Sequence, residues 1–161
     1  MRQPFYSMNH DTIMRLALKE AHKALAIDEV PVGALIVKDG QIIARAHNRR
    51  ETSQVATAHA ELLAIEKACK KLNSWRLEGC LLYVTLEPCA MCTGASLLSR
   101  VDGIVFGAYD PKGGCMGTVT DLTTLKAFNH QPWVLGGVLE KECAQLLTDF
   151  FKNKRKAPTL P

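Results

Sequence analysis

The chain has 161 residues, 47% of them apolar and 22% charged, and its formal net charge is +4. This length and composition are ordinary for a soluble globular protein and favour a single domain over residues 1–161 with a substantial hydrophobic core. Residues 1–9 lack the apolar segment of a signal peptide and the longest apolar run is too short to span a bilayer, so we expect a cytoplasmic protein without a membrane partner.

Apolar periodicity and turn residues divide the chain into alternating helices and strands. In chain order they predict a helix at 11–28, strands at 32–38 and 41–47, a helix at 58–72, a strand at 81–85, a helix at 89–99, a strand at 103–107, a short helix at 121–128, a strand at 133–136 and a helix at 139–153. Strand, helix and strand between residues 81 and 107 imply a parallel pair. The whole predicts an α/β fold, a three-layer α/β/α sandwich with a mixed five-stranded sheet.

Local signals define several of these boundaries. Asp11 is expected to cap the first helix, and Asp39-Gly40 is a strong two-residue hairpin turn. Pro88 suits the first position of a helix, where its missing N–H costs nothing. The second long helix is expected to bury a stripe of four side chains, namely Leu62, Ile65, Cys69 and Leu72.

Three further segments are predicted to lie outside the folded core. Residues 1–8 look like a loose N-terminal arm, and residues 48–57 are polar enough for an exposed loop. Residues 152–161 form a basic C-terminal tail. The charge of that tail is explained equally well by a solvated helix end and by contact with RNA.

One imidazole and two thiols in the chain have the chemistry of a catalytic zinc site. Zinc binds neutral histidine and thiolate sulfur, and a catalytic site uses three protein ligands and leaves the fourth position for water. His59, Cys89 and Cys92 form such a set. The two cysteines are three residues apart at a helix N-terminus, where they share a face and where the positive partial charge favours thiolates.

A carboxylate close to the histidine completes the predicted site. Glu61 is two residues from His59 and is the type of group that moves protons on and off water at a zinc site. Inside a helix the two side chains would diverge by roughly 200°. They can converge only at the start of a helix, which the predicted start at Ala58 permits.

Other interpretations of the cysteines remain open at this point. Cys-x-x-Cys is also typical of redox pairs, although the nearby His-Ala-Glu favours a metal. A structural zinc ribbon would need a second Cys-x-x-Cys, and the sequence has none. Cys115, in a glycine-rich loop, could be a fourth ligand that closes the site and makes it inert.

His-x-Glu followed by Pro-Cys-x-x-Cys is the signature of zinc-dependent nucleobase deaminases. His59-Ala60-Glu61, the segment from Thr85 to Cys92 and the strand Val105-Phe106-Gly107-Ala108 resemble the bacterial tRNA adenosine deaminase family, within the cytidine/deoxycytidylate deaminase superfamily. The similarity extends over nearly the whole chain, from Val30 to Phe151. Arg100, the Phe-Gly-Ala segment and the C-terminal Phe150-Phe151 helix favour this family over the rest of the superfamily.

The resemblance implies a cytidine-deaminase-like fold, one Zn²⁺ per subunit and a homodimer with its active site near the interface. It also implies hydrolysis of adenosine to inosine at the wobble position of a tRNA anticodon, of the arginine tRNA type. His59, Cys89 and Cys92 would hold the metal and Glu61 would be catalytic. The residues that would contact the anticodon stem-loop are Asn48, Asp110, Asn129, His130 and Phe150.

Besides a tRNA adenosine deaminase, two other functions are compatible with the sequence. The same motifs would serve a deaminase of a free base or nucleoside, of the guanine or cytosine type. An RNA-binding subunit with a structural zinc is a third possibility, against which the presence of Glu61 argues. Phosphate contacts by Arg49, Arg50 and the basic tail would make RNA binding sensitive to salt.

Overall fold

The computed structural model describes residues 8–157. Its helices and strands, in chain order, are α1 His10–Ala26, β1 Gly33–Lys38, β2 Gln41–His47, α2 Arg50–Ser53, α3 Ala60–Leu72, β3 Cys80–Leu86, α4 Ala90–Leu98, β4 Gly103–Ala108, β5 Trp133–Leu135 and α5 Glu140–Lys156. Within these residues no helix is both long and apolar enough to cross a membrane.

A five-stranded mixed sheet with the order β2-β1-β3-β4-β5 forms the centre of the fold. The hairpin β1–β2 and the pair β1–β3 are antiparallel, whereas β3–β4 and β4–β5 are parallel. The hairpin turn is where the sequence predicts it, because Asp39 and Gly40 have positive φ angles of 49° and 75°, as a tight turn between strands requires. The predicted fold class is confirmed.

Helices cover both faces of the sheet, which makes three layers. One core lies between the sheet and helices α3 and α4, with Ile36, Leu82 and Phe106 among its strand residues. The other core lies between the sheet and helices α1 and α5. Leu35 and Tyr83 belong to it, and they point from strands β1 and β3 to the opposite face of the sheet. This alternation follows from the period-two geometry of a strand. Strand β4 is buried throughout and β1 and β3 are buried except at their last residues, which fits a sheet covered on both sides.

Helix α1 contacts the sheet unusually closely at Gly33. A β-carbon on this residue would lie 2.1 Å from the carbonyl oxygen of Ala17, so only glycine fits there. Next to this contact the buried carboxylate of Glu20 accepts hydrogen bonds from Lys23 at 2.8 Å and from His47 at 3.3 Å. Burial is the largest single influence and would raise the pKa of Glu20, but the two hydrogen bonds and the electrostatic attraction of the same two partners together outweigh it and lower the pKa below the ordinary value.

Several predicted details at helix ends are wrong. Asn9, not Asp11, caps α1, because the Asn9 side chain accepts the backbone N–H of Thr12 at 3.0 Å. Pro88 precedes the cap of α4 instead of occupying its first position, since Cys89 is the N-cap. Helix α5 continues to Lys156, so most of the described part of the basic tail is helical. The predicted N-terminal arm lies outside the described residues except for Met8.

Two predicted segments also differ from the structure. Residues 121–128 form turns and bends instead of a helix, because Asp121 binds the backbone and hydroxyl of Thr123 and Leu122 donates to the carbonyl of Cys115. Residues 48–57 contain the short helix α2, and Asn48 is buried.

The buried face of α3 also differs from the predicted one. Its most buried residues are Ala60, Glu61, Ala64, Ile65 and Ala68. Of the four predicted residues only Ile65 is among them, while Leu62, Cys69 and Leu72 are half-buried.

Candidate metal and catalytic site

His59 stands at the N-cap of helix α3. Its backbone is extended, with φ −80° and ψ 149°, and its side chain makes no capping hydrogen bond to the helix. The imidazole is therefore available to other groups. The hairpin strand β2 leads to it through residues 48–58, and the backbone N–H of Arg49 donates to the carbonyl of Ala58, which fixes the chain just before His59.

Cys89 and Cys92 lie at the start of helix α4, directly after strand β3. Cys89 is the N-cap and also makes no capping hydrogen bond, while Cys92 is in the first turn and fully buried. Because α3 and α4 are on the same face of the sheet and contact each other, the two helix starts meet. His59 Nδ1 lies 3.8 Å from Cys89 Sγ and 3.6 Å from Cys92 Sγ.

The spacing of these three side chains fits a tetrahedral zinc ion. Zn–N bonds of about 2.05 Å and Zn–S bonds of about 2.3 Å at tetrahedral angles place nitrogen and sulfur about 3.6 Å apart. The observed separations of 3.8 and 3.6 Å agree with that value. The three possible ligand atoms of His59, Cys89 and Cys92 all lie within 4.8 Å of one another. Among residues 8–157, no other group of three or more histidine, cysteine, aspartate or glutamate side chains meets this criterion.

The electrostatics of the cluster favour a thiolate. A hydrogen bond with Cys92, aided by His59, lowers the pKa of Cys89 to about 4, although burial opposes the shift. The pKa of Cys92 is raised because its thiol hydrogen-bonds to the charged Cys89 and is buried. The hydrogen bond to Cys89 raises the pKa of His59. By themselves these three groups therefore favour one thiolate, on Cys89, whereas a bound cation would favour both thiolates and a neutral imidazole.

Glu61 lies in the first turn of α3 beside this cluster. Its side chain is buried, and it interacts with both Cys92 and His59. Burial raises the pKa of Glu61 to about 7. The start of α3 at Ala60, two residues later than predicted, is what makes the convergence possible, because His59 is in extended backbone and only Glu61 is in the helix. Whether these four residues act as ligands and as a proton carrier stays a prediction.

The other interpretations of the cysteines find less in the structure. All six cysteines are free thiols. Cys115 is outside the three-residue ligand group, and its thiol points to the carbonyl of Gly113 at 3.4 Å. The geometry therefore favours three ligands and an open fourth position over a closed four-ligand site.

Two of the predicted substrate contacts lie in segments that are hydrogen-bonded to those carrying the cluster, through Arg49 to Ala58 and through Asp110 to Glu87. Asn48 is buried at the end of β2, where its backbone N–H donates to the carbonyl of Val32. Asp110 follows β4, and its side chain accepts the backbone N–H of Lys112 at 2.9 Å. Both residues are in segments that flank the cluster, but their contact with a substrate stays a prediction.

The other three predicted contacts are elsewhere in the fold. Asn129 and His130 line a cavity of about 290 Å³ beside α4, and His130 Nε2 donates to the Val101 carbonyl at 2.6 Å. Phe150 is on α5, in the layer on the opposite side of the sheet, where it is 7% exposed and packs against the ring of Phe151. A role for these residues in binding also stays a prediction.

Sequence reasoning assigned no role to Glu87, which the structure places next to the ligands. Its carboxylate is 1% exposed and accepts hydrogen bonds from residues 110, 116 and 118. The available signal was an acidic residue between a buried strand and Pro88, where burial without a specific partner is costly.

Comparison with known proteins adds to this geometry. The family model of the MafB19-like deaminases matches residues 8–155. The tRNA-specific adenosine deaminase of Bacillus subtilis is 59% identical over 143 residues, which cover 89% of each chain. A solved structure from studies of A-to-I editing by tRNA:A34 deaminases is 44% identical over 84% of this chain and 99% of its own, with a TM-score of 0.82. The guanine deaminase of Bacillus subtilis is 32% identical, covers 96% of this chain and 98% of its own, and has a TM-score of 0.62.

Proposed function

The chain belongs to the family of tRNA-specific adenosine deaminases, and from that premise we propose that it hydrolytically deaminates adenosine to inosine at the wobble position of a tRNA anticodon, of the arginine tRNA type. The resemblance noted in the sequence is thereby confirmed as membership. The observation that carries the proposed chemistry is the meeting of one imidazole, two thiols and one buried carboxylate at two helix N-termini.

His59, Cys89 and Cys92 are the residues that would hold one Zn²⁺ per subunit. When bound, zinc supplies the Lewis acidity that makes water nucleophilic at neutral pH. The fit of the nitrogen–sulfur separations to tetrahedral coordination supports this assignment. The softness of two sulfur donors favours zinc over magnesium or calcium, which prefer oxygen.

Glu61 moves the protons of the reaction. Its carboxylate accepts a proton from the water whose oxygen attacks C6 of adenine, and it delivers that proton to N1. As the bond between C6 and the exocyclic nitrogen breaks, Glu61 takes the proton of the new C6 hydroxyl and passes it to that nitrogen, so that the group leaves as ammonia and C6 keeps its oxygen as a carbonyl. Adenosine and water give inosine and ammonia, so atoms and charge balance and the carboxylate is regenerated.

The RNA must present an unstacked base to this buried site. C6 of adenine is hidden inside a duplex, whereas an anticodon loop offers bases that can be splayed out. Because tRNA is the proposed partner, a cytoplasmic location follows from the proposal.

The basic end of α5 is a second feature that suits RNA. Lys152, Arg155 and Lys156 are exposed there, while Lys154 pairs with Asp28 at the end of α1. Replacing Lys152, Arg155 and Lys156 with glutamine should weaken binding of an anticodon stem-loop and reduce the slope of log affinity against log salt by about 2, at about 0.7 per phosphate lost. An unchanged slope would show that these three side chains do not contact phosphates and would favour the interpretation of this segment as a solvated helix end.

The proposed reaction is tested with purified, zinc-loaded protein. We expect inosine at the wobble position of an arginine anticodon stem-loop that carries adenosine there, and none in the Glu61→Ala variant, which should keep its zinc. Ammonia released from free guanine, cytosine or a nucleoside, without inosine in the stem-loop, would favour the rival deaminase. Protein that binds zinc and the stem-loop but forms no inosine would favour an RNA-binding subunit.

A homodimer is the last element of the proposal. Leu98 is 72% exposed and Phe128 is 44% exposed, and both border the cavity that Asn129 and His130 line. A second copy packed over this face would bury these side chains and bring Asn129 and His130 closer to another subunit's site. In sedimentation experiments Leu98→Asp should shift the protein to monomers, whereas Ile27→Asp, at a partly exposed position beyond α1, should not.

A further inference from the structure

We propose that Glu87 is a positioning residue that fastens the loop of residues 110–118 to the ligand-bearing turn and thereby orients Asp110 toward the substrate nucleotide. The inference rests on the proposed function and on the predicted contact of Asp110 with the anticodon stem-loop, and it gives that reaction a further determinant of RNA binding. Glu87 itself touches neither the ligand atoms nor the substrate and acts through Asp110.

The carboxylate of Glu87 is saturated by donors from one loop. Oε2 accepts the backbone N–H of Asp110 at 3.0 Å and the hydroxyl of Thr118 at 2.5 Å. Oε1 accepts the backbone N–H of Met116 and that of Thr118, each at 3.1 Å. The side chain is 1% exposed, so these hydrogen bonds replace the water that a charged group would otherwise keep.

Two backbone hydrogen bonds add to this attachment, one from Glu87 to the end of β4 just before the loop and one from the loop to Pro88. The N–H of Glu87 donates to the carbonyl of Ala108 at 2.8 Å, and the N–H of Cys115 donates to the carbonyl of Pro88 at 2.9 Å. A β-carbon on Gly114 would lie 2.2 Å from Glu87 Oε2, so glycine is what allows the loop to approach this closely. Cys89, the residue after Pro88, is a predicted metal ligand. The hydrogen bond from Cys115 to Pro88 therefore holds the loop to the turn that carries this ligand.

Three contacts hold Asp110 in place. Its backbone N–H is bound by Glu87 Oε2, and its own carboxylate accepts the N–H of Lys112 at 2.9 Å in a tight turn. Its carbonyl oxygen accepts the N–H of Gly114 at 3.0 Å, within the same loop. A shift of the Asp110 backbone is thus transmitted directly to its carboxylate. A buried residue that only stabilised the core would not need to accept the backbone N–H of Asp110.

Replacing Glu87 with glutamine removes one of these contacts selectively. The amide oxygen can keep the two backbone N–H groups now on Oε1, and the amide nitrogen can donate to the Thr118 hydroxyl, which is able to accept as well as donate. The N–H of Asp110 then faces a donor and loses its acceptor. Glu87→Gln should therefore loosen Asp110 while leaving the rest of the loop attached.

The test is a double-mutant cycle on deamination of the anticodon stem-loop, with Glu87→Gln, Asp110→Ala and their combination. We expect each single variant to reduce kcat/KM by about tenfold, mainly through KM, and the double variant to be no worse than about tenfold. Zinc content should stay that of the unaltered chain, whereas Glu87→Gln should lower the melting temperature by a few degrees, because the N–H of Asp110 loses its acceptor. Glu78→Gln, the same chemical change at an exposed position, should leave all parameters unchanged.

A second variant guards against a trivial failure to fold. Thr118→Val keeps the Glu87 carboxylate and every backbone N–H but removes the hydroxyl that donates to Oε2, and it should also raise KM, to a smaller extent, without adding to the effect of Asp110→Ala. Effects of Glu87→Gln and Asp110→Ala that multiply to about a hundredfold would overturn the inference, as would loss of zinc or a fall in kcat alone. If the unaltered chain forms no inosine, the proposed function fails first and this inference with it.

Discussion

The carboxylate of Glu61 offers the sharpest test of the proposed chemistry, through the substitution Glu61→Gln. Glutamine has the same shape, so it can occupy the buried position in the first turn of α3 without a cavity. What it cannot do is accept a proton from water and give it to N1 and then to the leaving group. One positioned acid or base typically contributes 10²–10⁴ in rate, and Glu61 is proposed to act twice.

We therefore expect kcat to fall by at least about 10⁴, which corresponds to about 5.4 kcal/mol of transition-state stabilisation. Zinc content should remain one per chain, because the three ligand side chains are untouched. The free energy of unfolding should change by less than about 1 kcal/mol, because a neutral amide of equal volume replaces the carboxylate. Single-turnover assays on a stem-loop, metal analysis and denaturant unfolding measure the three quantities.

The matched control is Glu66→Gln, on the exposed side of the same helix. It repeats the chemical change without touching the site, and should leave turnover unchanged. The reasoning is refuted if Glu61→Gln retains more than about a tenth of the activity. It is equally refuted if this variant loses its zinc, because Glu61 would then be a ligand.

Three further predictions concern the metal, the packing and the response to acid. Cys92→Ser should weaken zinc binding by more than about a hundredfold in chelator competition, because a hydroxyl is a poor zinc ligand, whereas Cys69→Ser should not change it. Gly33→Ala should lower the free energy of unfolding by about 1–3 kcal/mol, because its β-carbon would clash with α1. In Gly94→Ala the new β-carbon meets nothing within 4 Å, so the free energy of unfolding should rise or stay the same. Equal free energies of unfolding for the two variants would contradict the packing argument. Because the pKa of Glu20 is lowered in the folded state from its ordinary value of 4.5, its contribution to stability is present above about pH 4.5 and is lost as the pH falls through the folded value. The stability difference between the chain and Glu20→Gln should thus be largest near neutral pH and shrink in acid, and a constant difference would show that this carboxylate does not titrate as described.

The parts of the fold that the sequence predicts well depend on contacts between near neighbours. The Asp39-Gly40 turn needs positive φ at two consecutive positions, and these residue types supply it. The five strands are found because each is a short apolar run bounded by turn residues. Helix ends are less predictable, because Asn9 and Asp11 are both good caps and only the actual path of the chain selects Asn9.

Errors arise where distant contacts override local preference. Residues 121–128 have a helical pattern, but the bond from Leu122 to Cys115 and the turn closed by Asp121 hold them in another conformation. The same applies to the candidate site. Residue types and spacing indicate His59, Cys89 and Cys92, whereas the partners of Glu87 lie 23 to 31 residues further along the chain and have no local signal.

The positions of His59 and Cys89 show how the site and the fold depend on each other. Both are helix N-caps, where serine, threonine, aspartate or asparagine would stabilise the helix by about 0.5–2 kcal/mol relative to a residue that cannot cap. Neither side chain caps its helix, although α1 shows that this chain uses an asparagine cap elsewhere. Local stability is thus lost at the two helix starts that meet, and at the same place the side chains become free to point at each other. A bound cation can offset that loss, because the free energy of binding adds to that of folding. The weakness of these two caps is therefore what we expect if His59 and Cys89 hold a metal, as proposed.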